Sequence, residues 1–151
     1  MRTDHQLDHQ ICFALYSAAR AAMAGYRDSL AELGLTYTQY VTLLALWEQD
    51  GRTVSQLGDA LQLDSGTLSP LLRRLAERGL VERHREGGDA RVVTVHLTEA
   101  GRDLETAACA MQRRLYDAVD MDDDELATLR RLARRFSEAA TENHPTEGAP
   151  R

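Results

Sequence analysis

Aromatic residues and long apolar runs are scarce in this chain of 151 residues. Aromatic side chains make up 5% of the residues, and five of the eight are tyrosines. No apolar run approaches the ~18–20 residues that a membrane span needs, and residues 1–10 lack the apolar core of a secretory signal. We therefore expect a cytoplasmic protein without a membrane partner.

Cysteine is equally scarce. Cys12 and Cys109 are the two cysteines of the chain, and they form no CxxC motif. Two cysteines are too few for the disulfide framework of a secreted protein, and the cytosol would keep them reduced. Neither a thioredoxin-like strand–helix pattern nor a redox CxxC is present. We therefore expect no thiol peroxidase, no other enzyme and no cofactor.

Basic side chains are outnumbered by acidic ones, which gives a net charge of −6. Residues 1–51 carry a net charge of −3 and residues 98–151 a net charge of −4. Residues 52–97 carry 7 basic and 6 acidic side chains, and the arginines are clustered. Acidic ends would direct a nucleic-acid backbone toward this middle third. A solvated surface of mixed charge would have the same composition, so charge alone decides nothing.

The spacing of apolar residues predicts long amphipathic helices at both ends of the chain. One occupies most of residues 7–33, with Asp8 as its N-cap and Gly34 ending it. Two more follow Thr98, the first of them extending to about Val119. A small middle segment cannot cover this much apolar surface, so the terminal helices predict a homodimer.

The middle of the chain shows a different pattern. Thr36 caps one helix, and two short helices joined by a tight turn follow, capped by Thr53 and by Asp64 or Ser65. Such a pair is typical of a helix-turn-helix. Residues 81–97 then alternate in polarity around a Gly-Gly-Asp-Ala turn, which predicts a β-hairpin.

These patterns together predict a mainly α protein with a small β-hairpin wing, an α+β winged helix-turn-helix fold. We expect an N-terminal dimerisation helix in residues 1–35 and a DNA-binding domain in residues 36–97. C-terminal dimerisation helices follow in residues 98–140, and a disordered tail in residues 141–151.

Two groups of residues are candidates for contact with duplex DNA. A helix N-terminus in the major groove presents hydroxyls and free N–H groups, and a hairpin arginine can enter the minor groove. On the helix the candidates are Ser65, Thr67, Ser69, Pro70, Arg73 and Arg74; in the wing they are Arg85, Asp89 and Arg91. Pro70 is expected in the first turns, where a missing N–H costs least. Hydroxyls at a helix start can also serve only as caps, and turns are usually polar.

The block DSGTLSPLLRRLAERGLVERHREGGDARVVTVHLTEAG resembles the multiple-antibiotic-resistance-regulator (MarR) family, above all in D-x-R followed by V-x-L-T-E-x-G. This resemblance implies a triangular homodimer. A twofold dimer in turn should prefer an inverted-repeat operator in double-stranded DNA. The segments LDHQICFALYSAAR, GLTYTQYVTLLALWE and LDSGTLSPLLRRL resemble the organic-hydroperoxide-sensing (OhrR-like) repressors. In that subfamily the cysteine of the first helix is the peroxide sensor. The resemblance implies that Cys12 is the sensor, held by Tyr16, Tyr26 and Tyr37, and that an organic hydroperoxide is the inducer.

The residues around Cys12 fit this role. Cys12 and Tyr16 are spaced i, i+4 and share a helix face, and N–H groups at a helix start favour a thiolate. The alternative is a buried cysteine that acts as a small hydrophobe. Cys109 is a candidate resolving cysteine, although it precedes the position expected for one, near Asp117, by two turns, or ~12 Å of helix. A core cysteine there is equally compatible, and a small thiol would then cap Cys12.

A metal site and a ligand-responsive regulator are the two rival functions. His5, His9 and Cys12 follow a spacing of i, i+4 and i+7, but no fourth ligand is evident, so we expect no metal. A MarR-type regulator that responds to a phenolic or drug-like ligand in the dimer cleft would share the same fold.

Overall fold

The computed structural model describes residues 6–85 and 92–143, which are mainly helical, as the sequence predicts. A short 3-10 helix at Leu7–His9 comes first. The α-helices are α1 (Ile11–Glu32), α2 (Tyr37–Glu48), α3 (Val54–Leu61), α4 (Ser65–Glu77), α5 (Glu99–Asp117) and α6 (Asp123–Asn143). The strands are β1 (Arg52–Thr53), β2 (Val81–Arg85) and β3 (Val93–Leu97).

The chain divides into two compact units. The first, Met1–Leu115, contains α1 to α4, the sheet and most of α5. The second, Tyr116–Arg151, contains the end of α5 and all of α6. Helix α6 continues to Asn143, so its last turn reaches into the segment 141–151 that we expected to be a tail. Among the described residues, no helix combines the length and apolarity of a membrane span.

The first helix begins later than the sequence predicts. Asp8 lies inside the 3-10 helix, and the N-cap of α1 is Gln10, which makes no side-chain capping bond. The Gln10 N–H donates to the carbonyl of Leu7, which closes the short helix before α1 begins. The assignment of Asp8 as N-cap is therefore wrong, and Cys12 becomes the second residue of α1.

The helix caps in the middle of the chain agree with the prediction. Thr36 and Thr53 each form a capping box, in which the hydroxyl accepts from a backbone N–H and a glutamine side chain returns the bond. Of the two candidates for the start of α4, Asp64 is the N-cap. Short-range hydrogen bonding thus fixes where the helices of the helix-turn-helix begin.

The predicted hairpin is part of a three-stranded antiparallel sheet with the order β1-β3-β2. Val81 lies opposite Leu97 and Arg85 opposite Val93, so β2 and β3 pair along their whole length. Arg52 lies opposite Val95 and adds the short strand β1 at the other edge of β3. The sequence pattern does not predict β1, because two residues cannot display a strand period.

The core of the first unit is built mainly from leucines of α2, α3 and α4 and from the inward residues of the sheet. Its most deeply buried side chains are Tyr40, Leu43, Leu46, Leu57, Leu68, Leu72, Leu75, Val81 and Val95. Helix α1 contributes only Tyr26 and Leu30, both in its C-terminal half. The N-terminal half of α1 is therefore exposed in this protomer.

Four residues, Gly79, Leu80, Thr98 and Gly101, form what we call the wing-base junction. The Thr98 N–H donates to the carbonyl of Leu80 over 3.1 Å, and the Thr98 hydroxyl donates to the carbonyl of Gly79 over 2.6 Å. The same hydroxyl accepts from the Gly101 N–H. These bonds join the segment between α4 and β2 to the segment between β3 and α5.

Asp50 makes a second connection at the base of the wing. One carboxylate oxygen accepts from the N–H groups of Gly51 and Leu97, and the other accepts from the Arg102 guanidinium over 2.9 Å. Partial burial of Asp50 opposes ionisation, but these hydrogen bonds outweigh it and hold the pKa of the carboxyl below its ordinary value.

Replacement of Gly101 with alanine should destabilise the first unit. A Cβ atom there would lie 2.1 Å from the Leu80 carbonyl oxygen, and neither backbone can yield without moving the junction. We expect a loss of about 1–3 kcal/mol in the free energy of unfolding, measured by urea denaturation. Thr106→Ala, on the exposed side of α5, is the control and should change little. Equal stability of Gly101→Ala and the parent would refute the close approach.

Asp50→Asn should lower stability at neutral pH by about 1–2 kcal/mol, because a charged acceptor of three donors is lost. A carboxyl with a lowered folded-state pKa stabilises the fold above its unfolded-state pKa, and this contribution is lost as pH falls through the folded-state value. Parent and variant should therefore converge in acid. Thermal unfolding from pH 7 to pH 3 measures this, with Asp103→Asn as control. A stability difference that stays constant with pH would contradict the prediction.

Candidate nucleic-acid interface and thiol site

Helix α4 presents one apolar face to the core and one polar face to solvent. Its buried residues are Leu68, Leu71, Leu72 and Leu75. The predicted DNA-contacting residues Ser65, Thr67, Ser69, Arg73 and Arg74 are all exposed. Because α3 precedes α4 through the short turn at residues 62–64, α4 occupies the position of the second helix of a helix-turn-helix.

The N-terminus of α4 is organised by Asp64. The backbone N–H and the hydroxyl of Thr67 each donate to its carboxylate over 2.9 Å. These bonds, the side-chain bond first, lower the pKa of Asp64. The Thr67 hydroxyl is thus already used in the cap, which is the structural role that the sequence left open for hydroxyls at this helix start.

Pro70 is not in the first turn. It is the sixth residue of α4 and lies inside the helix. A proline there has no N–H to donate to the carbonyl four residues earlier, that of Gly66. The expectation that its missing N–H would cost least is wrong, because only the first four N–H groups of a helix lack an intrahelical partner.

The wing is described up to its base. Arg85 is the last residue of β2, and its side chain is exposed. Two residues earlier on the same strand, Arg83 is exposed as well. Asp89 and Arg91 lie outside the described residues, so their contact with DNA stays a prediction from the sequence.

Cys12 and Tyr16 lie one turn apart near the start of α1, and both are exposed. The Arg20 guanidinium lies over the Tyr16 ring, 5.6 Å from its centroid. The alternative of a Cys12 buried as a small hydrophobe does not hold for this protomer.

Tyr26 and Tyr37 lie together, away from Cys12. Their ring centroids are 5.4 Å apart, with Tyr26 from α1 and Tyr37 from the first turn of α2. Tyr26 is about 21 Å further along α1 than Cys12, since each helical residue adds about 1.5 Å. One protomer therefore cannot bring either tyrosine to its own Cys12, although Tyr16 is adjacent.

Tyr40 completes the tyrosine cluster, and it was not among the residues predicted from the sequence. Its ring centroid lies 5.7 Å from that of Tyr26 and 6.3 Å from that of Tyr37. Its side chain is 1% exposed. The spacing of i, i+3 between Tyr37 and Tyr40 was the signal that could have found it.

Cys109 is exposed on α5, whereas Ala108 and Met111 of the same helix are buried. It is therefore not a core cysteine in this protomer. The described part of the chain holds no group of three or more side chains suited to a metal ion. His5, one of the three residues of the rival metal face, lies outside that part.

A helix-turn-helix followed by a β-hairpin, with long flanking helices, defines a winged-helix DNA-binding protein. Comparison with known proteins agrees with this class. Residues 26–107 match the family described as "Transcriptional regulator SarA/Rot". The organic hydroperoxide resistance transcriptional regulator of Bacillus subtilis is 44% identical over 106 residues, which cover 70% of this chain and 72% of that one.

Two further relatives extend the comparison. The regulator TtmR of Methylorubrum extorquens is 52% identical over 104 residues, 68% of this chain, but the match spans only about half (53%) of its length. The reduced form of AbfR, a Staphylococcus epidermidis protein, bound to DNA superposes with a TM-score of 0.78 at 29% identity, covering 90% of this chain and 93% of that one. AbfR structures also exist in a disulfide form and in an overoxidised form bound to DNA.

The chain belongs to the MarR and SarA/Rot family of winged-helix transcriptional regulators. It is a DNA-binding regulator and not an enzyme.

Proposed function

We propose that this regulator represses transcription and releases its operator when an organic hydroperoxide oxidises Cys12. The exposed thiol at the start of α1, one turn from Tyr16, carries the proposal. The similarity to the Bacillus subtilis organic hydroperoxide regulator supports the same chemistry.

The proposed reaction is a two-electron oxidation of sulfur. The Cys12 thiolate attacks the terminal peroxide oxygen, the O–O bond breaks, and the alkoxide leaves and takes up a proton to become an alcohol. The sulfur keeps the hydroxyl as a sulfenic acid. A second thiol then attacks this sulfur, forming a disulfide and releasing water.

A homodimer would complete the thiol site. In this protomer Ile11, Phe13 and Tyr16 are all more than two-fifths exposed on α1, as are Leu129, Leu132 and Phe136 on α6. Exposed apolar side chains of this kind are typical of interfaces. Because Tyr26 and Tyr37 cannot reach Cys12 of their own chain, we infer that a second copy supplies them.

The dimer would also explain how oxidation reaches the DNA. Two copies of α4, the predicted recognition helix, at a fixed separation favour an inverted repeat with half-sites about one turn (~10 bp) apart. A sulfenic acid or bulkier disulfide at Cys12 would break the hydrogen bonds from the tyrosines and change the packing of α1. Two DNA-binding heads lose much of their joint affinity when their separation changes.

The wing should contribute electrostatically. Arg91→Ala should weaken binding to all DNA sequences and lower the slope of log K against log salt by about one, because one cation contact with the backbone is lost. Arg134→Ala on α6 removes the same charge from a helix outside the predicted DNA-binding domain and should leave the slope unchanged. Fluorescence anisotropy at several salt concentrations measures both. If Arg91→Ala binds DNA like the parent at every salt concentration, the wing does not contact DNA.

The sensor is tested by Cys12→Ser, with Cys109→Ser as the matched exposed cysteine. Reduced parent and both variants should bind operator DNA equally, because serine is nearly isosteric with cysteine. After treatment with cumene hydroperoxide, the parent should release DNA and Cys12→Ser should stay bound. If Cys12→Ser releases DNA at the parent's rate, Cys12 is not the sensor, and the result favours the alternative of a regulator that responds to a drug-like ligand.

Cys109→Ser separates two routes after sulfenic acid. If Cys109 resolves Cys12, non-reducing gels of oxidised parent will show a crosslinked dimer that Cys109→Ser lacks. If a small thiol caps Cys12, the variant will respond like the parent and neither protein will crosslink.

A further inference from the structure

A row of four aromatic rings crosses the first unit from its surface to its core. Tyr37, which is 36% exposed, and Tyr26 both pack against the buried Tyr40. The Tyr40 ring in turn meets Trp47 edge-on, with ring centroids 6.5 Å apart. The row thus begins at the two tyrosines that the proposed function assigns to Cys12.

The far end of the row is a directional contact with the wing-base junction. The Trp47 indole N–H donates to the carbonyl of Gly101 over 3.0 Å. Gly101 is the residue whose backbone lies against the Leu80 carbonyl and whose N–H donates to Thr98. Trp47 therefore connects α2 to the point where the recognition helix, both wing strands and α5 are joined.

We propose that Tyr40 and Trp47 are positioning residues that transmit a displacement of Tyr26 and Tyr37 to the wing-base junction. This inference rests on the proposed function, since it needs oxidation at Cys12 to move those tyrosines. Packed interiors do not deform continuously, so a shift of the Tyr26 and Tyr37 rings must be accommodated by Tyr40, which touches both. Trp47 passes the shift on because its hydrogen bond fixes it to one backbone oxygen.

A second connection between α1 and the recognition helix offers a comparison. Arg78, just after α4, donates to the carbonyls of Leu33 and Gly34 at the end of α1. Those bonds are exposed, and they bypass the aromatic row. Arg78→Ala therefore cuts the alternative route and leaves the row intact.

The test compares the parent with Trp47→Phe, which keeps a ring but deletes the N–H donor, and with Tyr40→Leu, which removes the ring between the tyrosines and Trp47. Arg78→Ala and Tyr116→Phe are the comparators. For each protein, operator affinity is measured before and after cumene hydroperoxide, and dimedone labelling with mass spectrometry measures oxidation of Cys12. The readout is the ratio of oxidised to reduced dissociation constants, which a purely structural role would not change at equal oxidation.

We expect all five proteins to bind DNA when reduced and to label at Cys12. The ratio should fall by about tenfold in Trp47→Phe and Tyr40→Leu, within the usual range of coupling between sites, and stay at the parent's value in both comparators. We call the proposed transmission through Tyr40 and Trp47 the relay. It is overturned if Trp47→Phe keeps the parent's ratio of dissociation constants, or if that ratio falls in Arg78→Ala alone. If Trp47→Phe fails to fold, the ratio measured for Tyr40→Leu decides whether the proposal holds.

Trp47 is the single tryptophan, so its emission reports on the relay without DNA. Peroxide should change this emission in the parent, leave it unchanged in Cys12→Ser, and change it much less in Tyr40→Leu. Release of DNA by the parent without an emission change overturns the relay and leaves the proposed function intact. Failure of the parent to release DNA, with oxidised Cys12, overturns both.

Discussion

The close approach of α5 to the Leu80 carbonyl is the constraint on which the DNA-binding half of the molecule depends. Only a residue without a Cβ fits at Gly101, because an added Cβ would lie 2.1 Å from that oxygen. The same carbonyl accepts from Thr98, so one oxygen fixes the end of the recognition-helix segment against the start of α5. Any motion of α5 relative to α4 must therefore also move the strands of the wing.

The N-terminal half of helix α1, in contrast, is held by few contacts within its own protomer. Only Tyr26 and Leu30 are buried, whereas the turns around Cys12 face solvent. Oxidation of a cysteine on a firmly packed helix could not change the packing around it without disrupting the core. In the proposed dimer the Cys12 end of α1 takes its contacts from the partner, so a small chemical change there can alter an interface while the core stays intact.

Local signals in the sequence predicted the helices of the DNA-binding domain well, because capping by Thr36, Thr53 and Asp64 involves residues three apart. Prediction failed where the deciding contact is distant or too short to have a period. The strand β1 exists only because β3 lies beside it. The bond from Trp47 to Gly101 joins residues far apart in the chain, and no spacing rule reports it. The motif L-T-E-x-G resembles a family mark in the sequence, and its physical role follows from the hydrogen bonds of Thr98 and the close packing of Gly101.

The proposed switch must also obey thermodynamic reciprocity. If formation of the disulfide weakens operator binding by some factor, operator binding must oppose that reversible step by the same factor. The coupling therefore has a cost, because DNA-bound protein is harder to oxidise reversibly than free protein. The initial attack on the peroxide escapes this limit, because breaking the O–O bond is effectively irreversible. In the proposed switch, the packing of Tyr26, Tyr37, Tyr40 and Trp47 then determines how much of the change at Cys12 reaches the wing.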